Sequence, residues 1–329
     1  MTESFAHHEL AGLFNKLTPE HVLDVVEAGG RRCTGRFLVL NSYENRVWQF
    51  ELEDGTWVVG KFYRPGRWSP EAILAEHRFL HELEAEEIAV AAPVELQPGE
   101  TLGTVQGILY ALFPRIGGRA PQELDDEQVR IVGRLLGRIH NVGVRWDAPA
   151  RLRLTPQKYG RDNLQLLLDT EAIPTEAREA YAASVRALLE RIEPLFRDVP
   201  LHRIHGDCHL GNLIWTPRGP TFLDFDDMLV GPAVQDVWLL VPSADEEGRR
   251  QRDLLLEAYR QFRIFPTAWL RLVEPLRALR YIHYATWIAR RWHDPIFPRT
   301  FPQFGTVQYW QTQVQDIREQ IARVDQVLD

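Results

Sequence analysis

Three residues carry types and spacings that suit phosphoryl transfer. Asp207 lies in the polar run His205-Gly206-Asp207-Cys208-His209-Leu210-Gly211-Asn212, five residues before Asn212. Asp224 follows Asn212 by twelve residues, in Leu223-Asp224-Phe225-Asp226-Asp227. Moving a phosphoryl group needs a carboxylate that orients the attacking hydroxyl and accepts its proton. It also needs oxygen ligands that hold Mg²⁺ against the phosphates. An amide oxygen and one or two carboxylates suffice for Mg²⁺, because phosphate oxygens and water complete its shell.

The elements that must hold these residues can be read from periodicity. The polar run sits between short apolar pieces at 201–204 and 213–215. Upstream, 36–40, 46–52 and 56–63 read as strands, the last two joined by the hairpin signal Glu53-Asp54-Gly55. Residues 92–96 and 104–113 read as two more. Thr18-Pro19 opens a helix with Val22, Leu23, Val25 and Val26 on its apolar face, and Ser69-Pro70 opens another to about Glu84. From Gln122 the period changes to that of helices. Val129, Val132, Leu136 and Ile139 mark the first, and 175–196, 246–262, 266–292 and 307–328 follow. A sheet-rich first lobe and a helical second lobe make an α+β architecture of two lobes, 1–113 and 114–329, jointed at Pro114 to Gly118.

Composition narrows the class. The 329-residue chain is 45% hydrophobic and 26% charged, ordinary for a soluble globular enzyme. With 38 Lys plus Arg against 46 Asp plus Glu, the net charge is -8, which disfavours a general nucleic-acid binder. The two cysteines, Cys33 and Cys208, read as reduced thiols. The first ten residues lack the basic start and apolar run of a signal peptide, and no stretch is apolar over the roughly 20 residues of a membrane span. The expectation is a cytoplasmic monomer.

A base Asp five residues before a metal-binding Asn, with a further Asp downstream, is the protein-kinase arrangement. The run H-G-D-x-x-x-x-N resembles that of the aminoglycoside phosphotransferase and choline kinase group of kinase-like enzymes. More specifically the chain resembles the bacterial stress response kinase A family. That likeness is carried by Leu40-Asn41-Ser42-Tyr43-Glu44-Asn45-Arg46-Val47, residues 59–68 and 205–212, Gly231-Pro232-Ala233-Val234-Gln235-Asp236, and Glu274-Pro275-Leu276-Arg277-Ala278. The resemblance implies a two-lobed protein-kinase-like fold with ATP as co-substrate and Mg²⁺ as metal. It implies Asp207 as catalytic base, Asn212 and Asp224 as metal ligands with Asp224 at the reacting phosphate, and Lys61 on the α- and β-phosphates. It further implies Glu76 as the partner of Lys61, the loop 41–45 over the phosphates with Ser42 near them, and backbone groups of Tyr110 and Leu112 facing adenine. The acceptor it implies is a protein serine or threonine, in a stress response. A small-molecule kinase acting on an amino alcohol, sugar or aminoglycoside uses the same centre, and a nucleotide-binding scaffold without turnover is the remote third reading.

The departures from the protein-kinase pattern are as informative. No G-x-G-x-x-G follows the first strand, Gly206 rather than Arg precedes the base, and Gly231-Pro232 follows Asp227 too closely for a long activation loop. His205, Cys208 and His209 lack the second ligand pair a zinc site needs, so His205 reads as structural. Asp226 shares the strand parity of Asp224 and is a candidate for a second metal ion. Asp236 reads as a brace for the base loop. The aromatic and basic stretch 281–301 reads first as core packing and second as a substrate rim. Tyr159 and Asn163 fall where acceptor pockets are built in this group.

Overall fold

The computed structural model describes residues 13–40 and 42–328. The polar start at 1–10 and Asn41 of the phosphate loop therefore lie outside the described residues. Helix α1 (Pro19–Glu27) begins where the Thr18 hydroxyl accepts the His21 N–H at 3.4 Å, with Pro19 in the first turn. It buries Val22, Val25 and Val26 on one face of an antiparallel sheet.

That sheet contains β1 (Cys33–Leu40), β2 (Arg46–Leu52), β3 (Trp57–Phe62), β4 (Gly103–Val105) and β5 (Ile108–Pro114), in the order β1-β2-β3-β5-β4. Strand alternation sorts the side chains. Val58, Phe62, Tyr110 and Leu112 pack with α1, whereas Val59, Ala111 and Phe113 belong to the larger core on the opposite face. Lys61 has the parity of Val59 and lies 5.6 Å from the Phe113 ring, on that second face. Helix α2 (Pro70–Ala85) covers it, capped by the Ser69 hydroxyl, which accepts the Ala72 N–H at 3.2 Å.

Two expectations for this lobe need correction. Residues 104–113 form two strands rather than one, because Gln106 and Gly107 take positive φ and turn the chain. Residues 92–96 form no strand; Val94 makes a single bridge to Leu112, since Pro93 beside it has no N–H for a ladder.

The second part holds α3 (Asp126–Gly143), α4 (Asp162–Asp169), α5 (Thr175–Ile192), β6 (His202–Ile204), β7 (Leu213–Thr216), β8 (Gly219–Phe222), β9 (Leu229–Gly231), α6 (Val234–Leu240), α7 (Glu246–Tyr259), α8 (Val273–Arg290), α9 (Ile296–Thr300) and α10 (Val307–Leu328). The chain thus has the expected antiparallel-sheet lobe followed by a helical region. The helix read over 266–292 starts late, because residues Thr267–Leu272 form a 3-10 turn. The stretch 201–225 resolves into two ribbons, β6 with β9 and β7 with β8, and the catalytic run bridges them.

Helix α3 meets α7 at glycine. A Cβ at Gly133 would stand 2.3 Å from the Leu255 carbonyl oxygen, and one at Gly137 would stand 2.8 Å from that of Tyr259. The close approach lets the Tyr259 hydroxyl reach His140 Nδ1 at 2.9 Å. Gly133→Ala is expected to destabilise the protein by about 1–3 kcal/mol through overpacking. Gly305→Ala, whose Cβ would meet only Trp292 at 3.7 Å, should shift a denaturant midpoint little by comparison.

Candidate active site

The base loop is fixed by backbone hydrogen bonds to a buried carboxylate. Asp236, at the start of α6, has no exposed surface. Its Oδ2 accepts the His205 N–H at 2.9 Å and pairs with His140 Nε2 at 3.0 Å, while its Oδ1 accepts the Gly206 N–H at 2.9 Å. Gly206 has φ +86, and a Cβ there would stand 2.3 Å from the Asp227 carbonyl oxygen, so the turn into Asp207 requires glycine. His205 then ties the base loop to the metal loop. Its Nε2 donates to the Leu223 carbonyl at 2.9 Å and its Nδ1 accepts the Asp207 N–H at 3.3 Å. A carbonyl only accepts and an N–H only donates, so these partners fix the tautomer with the proton on Nε2.

Asp207 itself faces the cleft. Arg280 Nη2 donates to its Oδ1 at 2.9 Å, and His209 Nε2 lies 3.3 Å from its Oδ2. Partial burial works to raise the pKa of this carboxyl, but the His209 hydrogen bond and the Arg280 guanidinium outweigh it and hold the group well below the usual carboxylate range. Asn212 uses its Nδ2 to donate to the Asp207 carbonyl at 3.0 Å, which leaves its Oδ1 as the atom for a cation. Asp224 takes a left-handed φ of +57, a costly conformation for a residue with a Cβ. The turn carries its carboxylate to Lys61, with Nζ to Oδ1 at 2.8 Å.

The pairing of Lys61 differs from expectation. It goes to Asp224, and no ion pair joins it to Glu76. Glu76 is buried, its Oε2 has no hydrogen-bond partner, and burial pushes its pKa up to about 7 against the pull of Lys61. Asp224 is more exposed and remains accessible to the ammonium.

Tyr110 and Leu112 are not among the residues that line the cleft. They lie inside β5 with side chains on the α1 face, and the Leu112 carbonyl is taken by the Val94 N–H at 2.8 Å. β5 stays paired to β3 as far as Pro114. Ser42 does line the cleft, with its Oγ accepting the Asn45 N–H at 3.2 Å.

Several residues that sequence reasoning passed over hold the two lobes together here. Asn45 Nδ2 donates to Asp226 Oδ2 at 3.2 Å, and Asn45 Oδ1 accepts the Arg64 N–H at 3.1 Å. Arg67 binds Asp226 and reaches Asp227 Oδ1 at 2.5 Å. Glu44 receives Trp287 Nε1 and Arg291 Nε, the latter at 2.6 Å, and lies 3.4 Å from Arg67. Asp226 is therefore a structural tie between the loop 42–45 and the run 224–227. Arg67 stood within 59–68, but no spacing rule marked it out. The stretch 281–301 divides: Phe297 is core, as expected, whereas Tyr284, Trp287 and Arg290 line the cleft. Tyr159 lines it too, stacked on His283 at 4.3 Å, while Asn163 is buried behind, donating to the Tyr159 carbonyl at 3.0 Å.

The cleft encloses about 420 Å³ and brings Asp207, Asp224, Asp226 and Ser42 to one space. Among the described residues, no three His, Cys, Asp or Glu side chains converge as a metal site. Mg²⁺ does not demand that many. Asn212 Oδ1 and the Asp224 carboxylate are donors of the hard-oxygen kind Mg²⁺ prefers, and the partnerless Asp226 Oδ1 belongs to a residue that lines the same cleft as Asp224.

Comparison with known proteins agrees with this geometry. The model of the phosphotransferase enzyme family matches residues 37–273. Stress response kinase A of Salmonella choleraesuis (strain SC-B67) is 41% identical over 308 residues, covering 93% of both chains. The serine/threonine protein kinase RdoA of Salmonella typhimurium is 41% identical, and stress response kinase A of Escherichia coli (strain K12) 40%, each over the same share. Among solved structures, an amicoumacin kinase in complex with AMP-PNP, Ca²⁺ and Ami superposes with a TM-score of 0.70 at 20% identity, covering 87% of this chain and 92% of that one. A microcompartment-associated aminopropanol kinase gives 0.68 at 20%, covering 93% and 97%. At such identity these two establish the fold alone.

Two outcomes test the site as built. Asp236→Ala removes the acceptor of three buried donors, and is expected to cost about 3–5 kcal/mol in stability. Glu76→Gln should act with pH. The folded-state pKa of Glu76 lies above its unfolded value, so ionising it opposes folding increasingly as pH rises from about 4.3 to about 7. The variant should therefore raise the melting temperature more at pH 8 than at pH 5; an equal shift at both would remove Glu76 as the titrating group.

Proposed function

The chain belongs to the phosphotransferase enzyme family, within the group of stress response kinase A, and from that premise we propose that it transfers the γ-phosphate of ATP to the hydroxyl of a protein serine or threonine. The observation that carries the reading is a cleft lined by Asp207 and Asp224, with Lys61 of the sheet lobe bonded to Asp224 and Asn212 bonded to the Asp207 carbonyl. ATP lies between the lobes, with Lys61 and Ser42 on the sheet side and Asn212 and Asp224 below. The segments 1–113 and 114–329 are then the two halves of the nucleotide site. Mg²⁺, held by Asn212 and Asp224, supplies charge neutralisation at the phosphates.

Asp207 accepts a hydrogen bond from the acceptor hydroxyl and aims its oxygen at phosphorus. The new oxygen–phosphorus bond forms as the bond to the ADP oxygen breaks, and the hydroxyl proton passes to the Asp207 carboxylate. Held ionised by Arg280 and His209, Asp207 is a weak base. It therefore works chiefly by orientation, and the proton moves late, as suits a loose transition state.

Support for a protein acceptor comes from the relatives named as serine/threonine and stress response kinases at about 40% identity over nearly the full chain. The cleft's own charge bears on the alternative. Its carboxylates Glu44, Asp226 and Asp227 are already paired with arginine, which disfavours a polycationic aminoglycoside as acceptor. No helix among the described residues is long and apolar enough to cross a membrane. A cytoplasmic monomer acting in a stress response completes the reading.

Purified protein with Mg²⁺ and γ-labelled ATP should label a generic protein substrate on serine or threonine. Asp207→Ala should lower that transfer by at least about 100-fold while ATP still binds. Asp224→Ala should weaken Mg-ATP binding itself. An active Asp207→Ala protein would remove the base assignment, and label found only on small alcohols would make the enzyme a small-molecule kinase.

A further inference from the structure

One wall of the cleft is a single face of α8. Arg280, His283, Tyr284, Trp287 and Arg290 recur at helical spacing and all line the cavity. The charges around that wall are nearly all matched. Arg280 is on Asp207, Arg291 on Glu44, Arg67 on Asp226 and Asp227, and Lys61 on Asp224. Arg290 is the exception: among the described residues it makes no ion pair and no hydrogen bond. Tyr159, which lines the same cavity, is near enough to feel its charge.

An arginine in the last turn of a helix is favoured by the helix dipole with no ligand at all. That accounts for the charge at this end of α8 but not for its place in the cavity wall, on the same face as the arginine that touches the catalytic base. A guanidinium with free donors in a cleft is a fork for a carboxylate or phosphate.

The spacing adds a ruler. Arg280 marks the position of the base, and Arg290 lies ten residues further along α8, about 15 Å at ~1.5 Å per residue. An extended peptide covers that distance in about four residues, or about three to five allowing for the reach of the arginine side chain. We infer that the acceptor serine or threonine lies in a segment carrying an anionic side chain, carboxylate or phosphate, about three to five residues away, and that Arg290 binds it. This rests on the protein-kinase reading above and names its substrate class.

The test uses the full chain with Mg-ATP and matched single-serine peptides. Each carries glutamate, phosphoserine, glutamine or lysine at one position, from five before to five after the serine. Glutamate or phosphoserine at one position three to five residues from the serine should raise kcat/KM by roughly tenfold over glutamine, the scale of a charged hydrogen-bonded contact. The comparison of the two tells which anion is preferred. In Arg290→Gln that ratio should fall to about one, and in Arg290→Glu the preference should turn to lysine, a reversal that loss of packing alone cannot produce. Peptides phosphorylated with no acidic preference would overturn this inference and leave the kinase reading standing. An acidic preference unchanged in both variants would overturn the role of Arg290. Peptides left unlabelled while a small alcohol is phosphorylated would overturn the protein-kinase reading and this inference together.

Discussion

Asp236 is a negative charge with no contact with water, and it is tolerable only because three donors converge on it. Two of those donors are the backbone amides that shape the turn into Asp207. The third is His140, whose other nitrogen meets Tyr259. A chain of contacts thus runs from α7 through α3 to the turn at Asp207, and the glycines that let α3 and α7 touch are part of it. The catalytic loop carries little regular structure of its own and inherits its rigidity from this buried charge.

A second set of charges does for the phosphate loop what Asp236 does for the base loop. Glu44, Asn45 and Arg67 on the sheet lobe bind Asp226, Asp227, Trp287 and Arg291 on the helical lobe. Most of these groups are shielded from solvent, so screening by salt weakens them less than it would a surface pair. The loop 42–45, the run 224–227 and the cleft-lining face of α8 therefore share one electrostatic frame.

Much of this was legible in the residues. The order of sheet then helices, the caps at Thr18 and Ser69, and the polar runs at Asp207 and Asp224 all follow from local chemistry. Local chemistry also misled. Nothing in the series 104–113 except Gly107 announced a turn, and Pro93 should have counted against a strand at 92–96. Tyr110 and Leu112 were placed at adenine through their backbone by likeness; strand parity, read from Lys61 through the antiparallel register, turns their side chains to the other face of the sheet. Glu76 as the partner of Lys61 failed for a different reason: the competitor, Asp224, lies 163 residues away. Arg67, Glu44 and Arg280 were invisible because their meaning is wholly tertiary; each is an ordinary charged residue until the opposite lobe arrives.

Those long separations bear on how the enzyme is made. Asn45 waits for a partner 181 residues downstream and Glu44 for one 243 residues downstream. On a ribosome the sheet lobe is therefore finished long before the groups that anchor its phosphate loop exist. The centre as it stands in the finished fold is completed only after α8 has been synthesised and docked. A chain that stops before α8 lacks that anchorage, because Glu44 has neither Trp287 nor Arg291 to hold it.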